Sequence, residues 1–350
     1  MARAKSQFIC QQCGASYPKW IGKCENCGEW NSLVEQLPVE TGASAVARSS
    51  GKGKALTTLK LSETAAETKQ ARLATGIADL DAVLGGGFLP GGVVLVAGQP
   101  GIGKSTLLAQ VAAFIAWQQP VLYVSGEESV SQVKLRAERL GAVDSENLQL
   151  ASSSSAEDIA ASIQTGQYNL VIVDSIQTLS LADIASAPGS VSQITNSSNV
   201  IIRAAKAANT AVILVGHVTK EGSIAGPKVL EHLVDVVLNF EGDRYGGFRV
   251  VRAQKNRYGS TNEAAIFEMH EDGLQIVANP SASLLAERQN LDGSIVLATM
   301  EGARPLLVEI QALVNPTNFG YPKRAASGFD LNRLNLLVAV LEKRTKLNLS

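Results

Sequence analysis

The stretch "GQPGIGKST", residues 98–106, combines residue types and a spacing that can hold a chain of phosphate groups. It fits the pattern G-x-x-x-x-G-K-[ST], follows an apolar run that predicts a buried strand, and precedes a helical pattern. In that context backbone N–H groups and the helix N-terminus attract phosphate, the lysine reaches the β- and γ-phosphates, and the serine hydroxyl binds Mg²⁺. The sequence therefore predicts a site for ATP and Mg²⁺, formed by Gly98, Gly101, Gly103, Lys104, Ser105 and Thr106.

A second magnesium ligand is predicted at the end of "NLVIVDS", where Asp174 follows a short apolar run. Ligands of open α/β sheets bind at the carboxyl ends of the strands, which is where this carboxylate should lie. The alternative is an ordinary aspartate that caps the next element. Together with the glycine-rich stretch, the pattern favours Asp174 as the partner of Ser105 at the metal.

Hydrolysis of a phosphoanhydride also needs a group that orients or deprotonates water. The stretch "YVSGEESV" ends another predicted strand with Glu127 and Glu128, and we predict Glu127 as the catalytic group. The alternative is that a glutamate here only begins the next helix, where acidic residues are favoured. His217 ends the run "ILVGH" and either senses the γ-phosphate or is a polar strand-end residue without a role.

Two cations stand in the stretch "KNRYG", residues 255–259, between two apolar runs that predict antiparallel strands. One interpretation is a solvated turn. The other is that Lys255 and Arg257 contact phosphate, with the cation supplied to a neighbouring subunit, where such a group stabilises charge on the transferred phosphoryl group. On this second interpretation we expect both residues to matter little for folding of the monomer and greatly for turnover in an assembly.

The four cysteines form two pairs, Cys10-x₂-Cys13 and Cys24-x₂-Cys27, separated by ten residues. Two such pairs can complete a tetrahedral shell, so we predict a structural zinc site, with a redox dithiol or two disulfides as alternatives. Trp20 and Trp30 lie in the same module. They either stack on nucleic-acid bases or form the small core of the module.

The rest of the chain positions these groups. A hydrophobic content of 45% and a charged content of 18% indicate a globular protein, and the net charge of −1 gives no sign of a nucleic-acid partner. No signal peptide is evident and the longest apolar stretch is too short for a membrane-spanning helix, so we expect a cytoplasmic protein without a membrane partner.

We predict four zones: a zinc ribbon at 1–37, a linker at 38–70, a nucleotide-binding domain at 71–278 and a further domain at 279–350. Alternating strands and helices in the third zone predict a mostly parallel α/β sheet with an antiparallel edge.

The stretch "TGIADLDAVLGGGFLPGGVVLVAGQPGIGKST" resembles the start of a RecA-type P-loop ATPase core. Together with the zinc module and "KNRYG", the chain resembles the bacterial RadA (Sms) family over nearly its whole length. This resemblance implies a DNA-dependent ATPase that forms a homo-hexameric ring on single-stranded DNA and drives branch migration of branched recombination intermediates with RecA. It implies that Glu127 is catalytic, that His217 is a polar switch, and that Lys255 and Arg257 act at the nucleotide across the subunit boundary. It further implies that segments 176–196 and 219–227 face the DNA, with Lys220 and Lys228 as phosphate contacts.

Residues 279–350 resemble only the first part of a Lon-like domain, so we expect the chain to be truncated there, without a protease dyad. The basic stretch 323–346 either meets DNA or is a solvated helix face. Two other functions compete with this one. The stretch "SGEES" favours a RecA-fold signalling ATPase or autokinase, and an ATP-dependent protease would need a nucleophile that the partial domain does not supply.

Overall fold

The structure is a computed structural model that describes residues 7–10, 13, 15–30, 32–36, 60, 72–141, 145–217, 229–242, 247–286, 288, 292–315, 323–347 and 349. The strands in these ranges form three separate sheets of three, nine and two strands. In the same ranges, no helix is both long and apolar enough to cross a membrane.

A small antiparallel sheet carries the cysteines. Its strands are β1 (Gln7–Cys10), β2 (Ser16–Tyr17) and β3 (Leu33–Gln36), in the order β2-β1-β3. Its core consists of Cys10, Cys24 and Leu33 with partly buried neighbours that include Phe8 and Tyr17. So small a core buries little apolar surface, so the sheet requires a stabilising constraint beyond this core.

The nine-stranded sheet is the centre of the molecule. Its strands run in the order β12-β11-β10-β9-β4-β8-β7-β5-β6. They are β4 (Val93–Gly98), β5 (Val121–Ser125), β6 (Leu148–Ser152), β7 (Leu170–Asp174), β8 (Ala211–His217), β9 (Val236–Gly242), β10 (Phe248–Asn256), β11 (Ala264–His270) and β12 (Gly273–Ile276). Strands β4 to β9 pair in parallel, and β10, β11 and β12 extend the sheet as an antiparallel meander. The predicted α/β sheet with an antiparallel edge is confirmed.

Helices cover both faces of this sheet. They are α1 (Ala78–Leu84), α2 (Lys104–Ala116), α3 (Val130–Arg139), α4 (Ala156–Gln164), α5 (Val191–Ala208) and α6 (Val229–Leu233), with a short 3₁₀ helix at Ile176–Thr178. Leu80, Leu107 and Val133 of α1, α2 and α3 are buried in one core, and the apolar sides of α4, α5 and α6 are buried in a second. Because the central strands are buried on both faces, they read as continuous apolar runs rather than as alternating ones.

The last described elements are α7 (Pro280–Leu285), β13 (Ser294–Glu301), β14 (Arg304–Gln311) and α8 (Leu331–Thr345). Strands β13 and β14 form an antiparallel ribbon. Leu306 of this ribbon packs with Phe248 and Val250 of β10, and Arg252 of β10 forms an ion pair with Glu301. The ribbon is therefore in contact with the antiparallel edge of the large sheet.

Candidate nucleotide-binding and metal sites

The glycine-rich loop connects the end of β4 to the start of α2, as the sequence predicted. Gly101 and Gly103 have φ values of +75° and +113°, which is backbone that residues with a Cβ rarely adopt. A Cβ on Gly98 would lie 2.6 Å from the carbonyl oxygen of Phe240 on the neighbouring β9. Glycine at these positions lets the loop curl close to the sheet, so that its N–H groups can surround an anion.

Lys104 lies beneath this loop, and only 4% of its surface is exposed. Its ammonium group donates to the carbonyl oxygens of Gly98 and Gln99, at 2.8 and 2.9 Å. Burial lowers the pKa of Lys104, and the charges of Asp174 and Glu127 oppose that shift. The loop therefore holds a partly desolvated cation whose field is strong because little water screens it.

Asp174 lies at the end of β7, next to the start of α2. Its Oδ2 accepts hydrogen bonds from Ser105 Oγ at 2.6 Å and from the hydroxyl of Tyr123 at 2.7 Å. Burial and the charge of Asp174 raise the pKa of Tyr123 well above its ordinary value, so this phenol stays a donor. A serine hydroxyl and a carboxylate on adjacent elements are oxygen ligands of the kind that Mg²⁺ prefers, so Ser105 and Asp174 fit a magnesium ion.

Glu127 follows the end of β5 and lies beside Ser175 and His217. Its Oε1 accepts a hydrogen bond from Ser175 Oγ at 2.5 Å and lies 3.3 Å from His217 Nε2. Burial alone would raise the pKa of Glu127, but the bonds from Ser175 and His217 and the charge of Lys104 lower it below its ordinary value. Glu127 is therefore ionised at neutral pH.

His217, at the end of β8, links Lys104 to Glu127. Its Nδ1 lies 3.2 Å from the Lys104 ammonium, which can only donate, so Nδ1 accepts and the proton of a neutral ring is on Nε2. Nε2 then donates to Glu127. The result is a continuous polar path from the loop lysine to the glutamate.

The two adjacent glutamates have different surroundings. Glu128 forms an ion pair with Arg136 of α3, while Glu127 lies toward Lys104. The sequence predicted Glu127 as the catalytic group, and the structure brings Glu127, but not Glu128, into the polar path. It also adds Tyr123 and Ser175, which sequence reasoning missed. The position of Ser175 directly after Asp174 was the one available signal.

The structure describes Thr106 but not the two lysines predicted to contact DNA. Thr106 lies in the first turn of α2 beside Ser105. Lys220 and Lys228 lie within 218–228, outside the described residues.

The KNRYG residues form contacts within the chain. Lys255 is in β10 rather than in a turn, and its ammonium donates to the carbonyl oxygens of Glu231 and Val234, both at 2.7 Å, at the end of α6. Arg257 pairs with Asp235 at 3.3 Å. The expectation that both cations matter little for folding of the monomer therefore does not fit Lys255, which closes the C-terminal end of α6.

These cations also lie away from the chain's own phosphate loop. Asn256 pairs with Val236 on β9, whereas Gly98 pairs with Phe240, four residues further along the same strand. At about 3.3 Å per residue, that separation is about 13 Å. Arg257 follows Asn256 at the opposite end of the strands and pairs with Asp235, so it does not reach its own phosphate site.

The four cysteine sulfurs converge. All lie within 4.8 Å of one another, with Cys10 and Cys27 at 3.6 Å and Cys13 and Cys24 at 3.4 Å. Four sulfurs around zinc, each about 2.3 Å from the metal, lie about 3.8 Å apart, so the cluster fits a zinc ion and the cysteines are not paired as disulfides. A hydrogen bond from the Tyr17 hydroxyl lowers the pKa of Cys24 to about 6, which favours the thiolate that a metal binds.

The two tryptophans of this module are not part of its core. Trp20 is 54% exposed and Trp30 is 67% exposed, and the ammonium of Lys23 lies 5.6 Å from the centre of the Trp30 ring. The interpretation that the tryptophans form the small core is therefore wrong, whereas Tyr17 is partly buried and packs against the core cluster.

Comparisons with known proteins agree with this architecture. A family model described as an AAA domain matches residues 53–223, and one described as a rubredoxin metal binding domain matches residues 8–35. The DNA repair protein RadA of Bacillus subtilis is 52% identical over 355 residues, covering 99% of this chain and 76% of that protein. The chain belongs to the RadA family.

Other RadA proteins are similarly close. Those of Listeria monocytogenes and Pseudomonas aeruginosa are 51% and 47% identical, and the alignments cover 100% and 98% of this chain and 76% and 75% of theirs. Among solved structures, a RadB recombinase aligns with a TM-score of 0.45 and 25% identity, covering 59% of this chain and 99% of that one. Membership of the RadA family, the AAA domain and the zinc ribbon together show an ATP-hydrolysing DNA repair protein that binds zinc.

Proposed function

We propose that this chain is a DNA-dependent ATPase that processes recombination intermediates, and that ATP hydrolysis drives its movement on single-stranded DNA. The observation that carries the proposal is the polar path from Lys104 through His217 to Glu127, at the strand ends where open α/β sheets bind ligands. Membership of a DNA repair family supports the assignment to recombination.

In this proposal the ATP phosphates lie in the loop of residues 98–104. The Lys104 ammonium then donates to the phosphate oxygens instead of to the carbonyl oxygens of Gly98 and Gln99. Ser105 and Asp174 hold Mg²⁺, which supplies charge stabilisation of the phosphate oxygens when it is bound. Tyr123 keeps the Asp174 carboxylate in place.

Glu127 then acts on the attacking water. A carboxylate whose pKa is lowered is a weak base, so its main contribution is to orient the water through a hydrogen bond. His217 contacts both Lys104 and Glu127, so a movement of the lysine toward phosphate removes one of the two contacts of the imidazole. This is the basis for assigning His217 as a switch between nucleotide state and the DNA-binding segments.

The position of Arg257 supports action across a subunit boundary. Because its own phosphate loop is at the other end of the strands, an ATP phosphate that Arg257 stabilises belongs to a neighbouring copy of the chain. A homo-hexameric ring, with Lys255 and Arg257 supplied in trans, is the assembly that we propose. Single-stranded DNA would pass along segments 176–196 and 219–227, with Lys220 and Lys228 as phosphate contacts, and branch migration would proceed with RecA in the cytoplasm.

The deciding experiment measures ATP turnover with and without single-stranded DNA, together with the mass of the assembly. We expect DNA to stimulate turnover, and equal rates in both conditions would contradict the proposed function.

Glu127→Gln should abolish turnover while ATP still binds. Glu128→Gln is the matched control, because Glu128 pairs with Arg136 and is outside the polar path. Phosphate transfer to the chain's own serine or threonine would instead favour an autokinase.

A further inference from the structure

A segment of twelve residues, 179–190, joins the 3₁₀ helix after β7 to α5, and we call it the post-β7 loop. Its start is tied to the nucleotide side of the sheet. The hydroxyl of Thr178 donates to the carbonyl oxygen of Ser175, which is itself bonded to Glu127, and the N–H of Ser180 donates to the carbonyl oxygen of Ser154 at 2.8 Å. The loop therefore begins from a fixed point next to the catalytic groups.

The side-chain amide of Gln193, in the first turn of α5, folds back onto this loop and is only 1% exposed. Its Oε1 accepts from the N–H of Leu181 at 2.9 Å. Its Nε2 donates to the carbonyl oxygens of Leu181, Ile184 and Ser186, at 3.3, 2.8 and 3.0 Å. One side chain thus contacts three separate points of the loop, and both the NH₂ group and the carbonyl oxygen of its amide form hydrogen bonds.

These contacts determine where the loop's own donors point. A carbonyl and the N–H of the next residue belong to one planar trans peptide unit and point in opposite directions. Because the carbonyls of Ile184 and Ser186 point inward to Gln193, the N–H groups of Ala185 and Ala187 point away from it. Among the described residues, neither of these two N–H groups donates to a protein acceptor.

The loop has no cationic side chain with which to hold an anion. Its one charged residue is Asp183, which repels phosphate. A loop of this composition binds a nucleic-acid backbone through N–H groups and hydroxyls, which is a frequent form of phosphate contact.

We propose that Gln193 is a positioning residue that aims the N–H groups of Ala185 and Ala187 at phosphate oxygens of single-stranded DNA. This inference rests on the proposed function, since it assumes that the post-β7 loop faces DNA. An amide is required because the site presents three carbonyls and one N–H, and a carboxylate would place an oxygen against the carbonyls.

The test uses the full chain with Gln193→Glu and Gln193→Met. The first keeps the size of the side chain and reverses half of its hydrogen-bonding pattern, and the second keeps the volume without a polar head. Gln164→Ala is the matched control, because Gln164 is an exposed amide at the end of α4, outside the two segments proposed to face DNA. Anisotropy of a labelled oligo-dT strand gives the DNA affinity, and a fluorescent ATP analogue gives the nucleotide affinity.

We expect both Gln193 variants to weaken oligo-dT binding by about tenfold, the size of one well-formed hydrogen bond to a charged group. The control should stay within about twofold, and the loss of DNA affinity should exceed any change in nucleotide affinity by about fivefold or more. Equal weakening of both affinities, or normal DNA binding by both variants, would overturn the inference.

Hydrogen exchange on the unaltered protein tests the same idea without any substitution. A peptide covering residues 182–190 should exchange quickly alone and become protected when oligo-dT is added. If oligo-dT binds and this peptide shows no protection, the role of the loop is refuted while the proposed function stands. If the unaltered protein binds no oligo-dT at all, the proposed function itself fails.

Discussion

Replacing Arg257 with alanine separates a structural role from a role in catalysis. Arg257 is half-exposed, and its partner Asp235 is buried and also bonded by the Val93 N–H, with Lys206 3.6 Å away. Because Asp235 keeps these other partners and Arg257 is itself half-exposed, we expect a loss of only about 1 kcal/mol in the free energy of unfolding. For a domain of about 200 residues, that corresponds to a fall of about 2–4 °C in melting temperature.

The effect on turnover should be much larger. A cation supplied in trans to a transferred phosphoryl group contributes about 10³-fold or more, which is about 4 kcal/mol of transition-state stabilisation. We therefore expect DNA-stimulated ATP turnover of Arg257→Ala to fall at least about 100-fold. Arg252→Ala is the matched control, because Arg252 is also a half-exposed arginine of the same strand region and forms an ion pair with Glu301. Its loss should lower the stability by a similar amount, while ATP turnover is kept.

Mixing subunits tests whether the arginine acts in trans. When Arg257→Ala subunits are combined with Lys104→Ala subunits, some interfaces pair an intact phosphate loop with an intact arginine, so activity should reappear. Two results would refute the reasoning: turnover of Arg257→Ala close to that of the unaltered chain, or no recovery in any mixture. A melting temperature lowered by about 8 °C or more would instead indicate a structural role.

Three further predictions concern other parts of the site and the zinc module. Lys104→Ala should abolish ATP turnover, because the buried ammonium is the cation inside the loop, and unchanged turnover would place the nucleotide elsewhere. Ser175→Ala removes a hydrogen-bond donor that holds the pKa of Glu127 below its ordinary value. The pKa of Glu127 should therefore rise, and the acidic limb of the pH–rate profile should move to higher pH. An unmoved limb would contradict the assignment of Glu127. The sign follows because a carboxylate that loses a donor to its charged form is protonated at higher pH. Cys13→Ala should release zinc, measured by metal analysis, and unfold the ribbon while the melting of the large domain is kept; an unaltered zinc content would show that the cluster is misassigned.

Local patterns predicted much of this protein. The elements of the large sheet followed from apolar runs and helical periodicity, since each pattern is contained within a short stretch. Two features were not evident. Helix α1 (Ala78–Leu84) and strand β12 are short, so their periodic signal is weak. The contact of Leu306 with β10 joins residues that are far apart in the chain, and no local pattern indicates it.

The same distinction applies to the candidate sites. Residue types and their spacing along the chain were enough to predict the phosphate loop and the cysteine cluster, because each chemistry needs particular residues at fixed spacings within a short stretch. The stretch "YVSGEESV" predicted Glu127 as the catalytic group, but the contacts that distinguish Glu127 from Glu128 come from tertiary structure. They involve Ser175, which follows β7, and His217, which ends β8. Tertiary structure also placed "KNRYG" at the opposite end of the strands from the phosphate loop. The order and direction of paired strands set that position, because hydrogen bonds between distant segments align them and residue spacing along the chain does not.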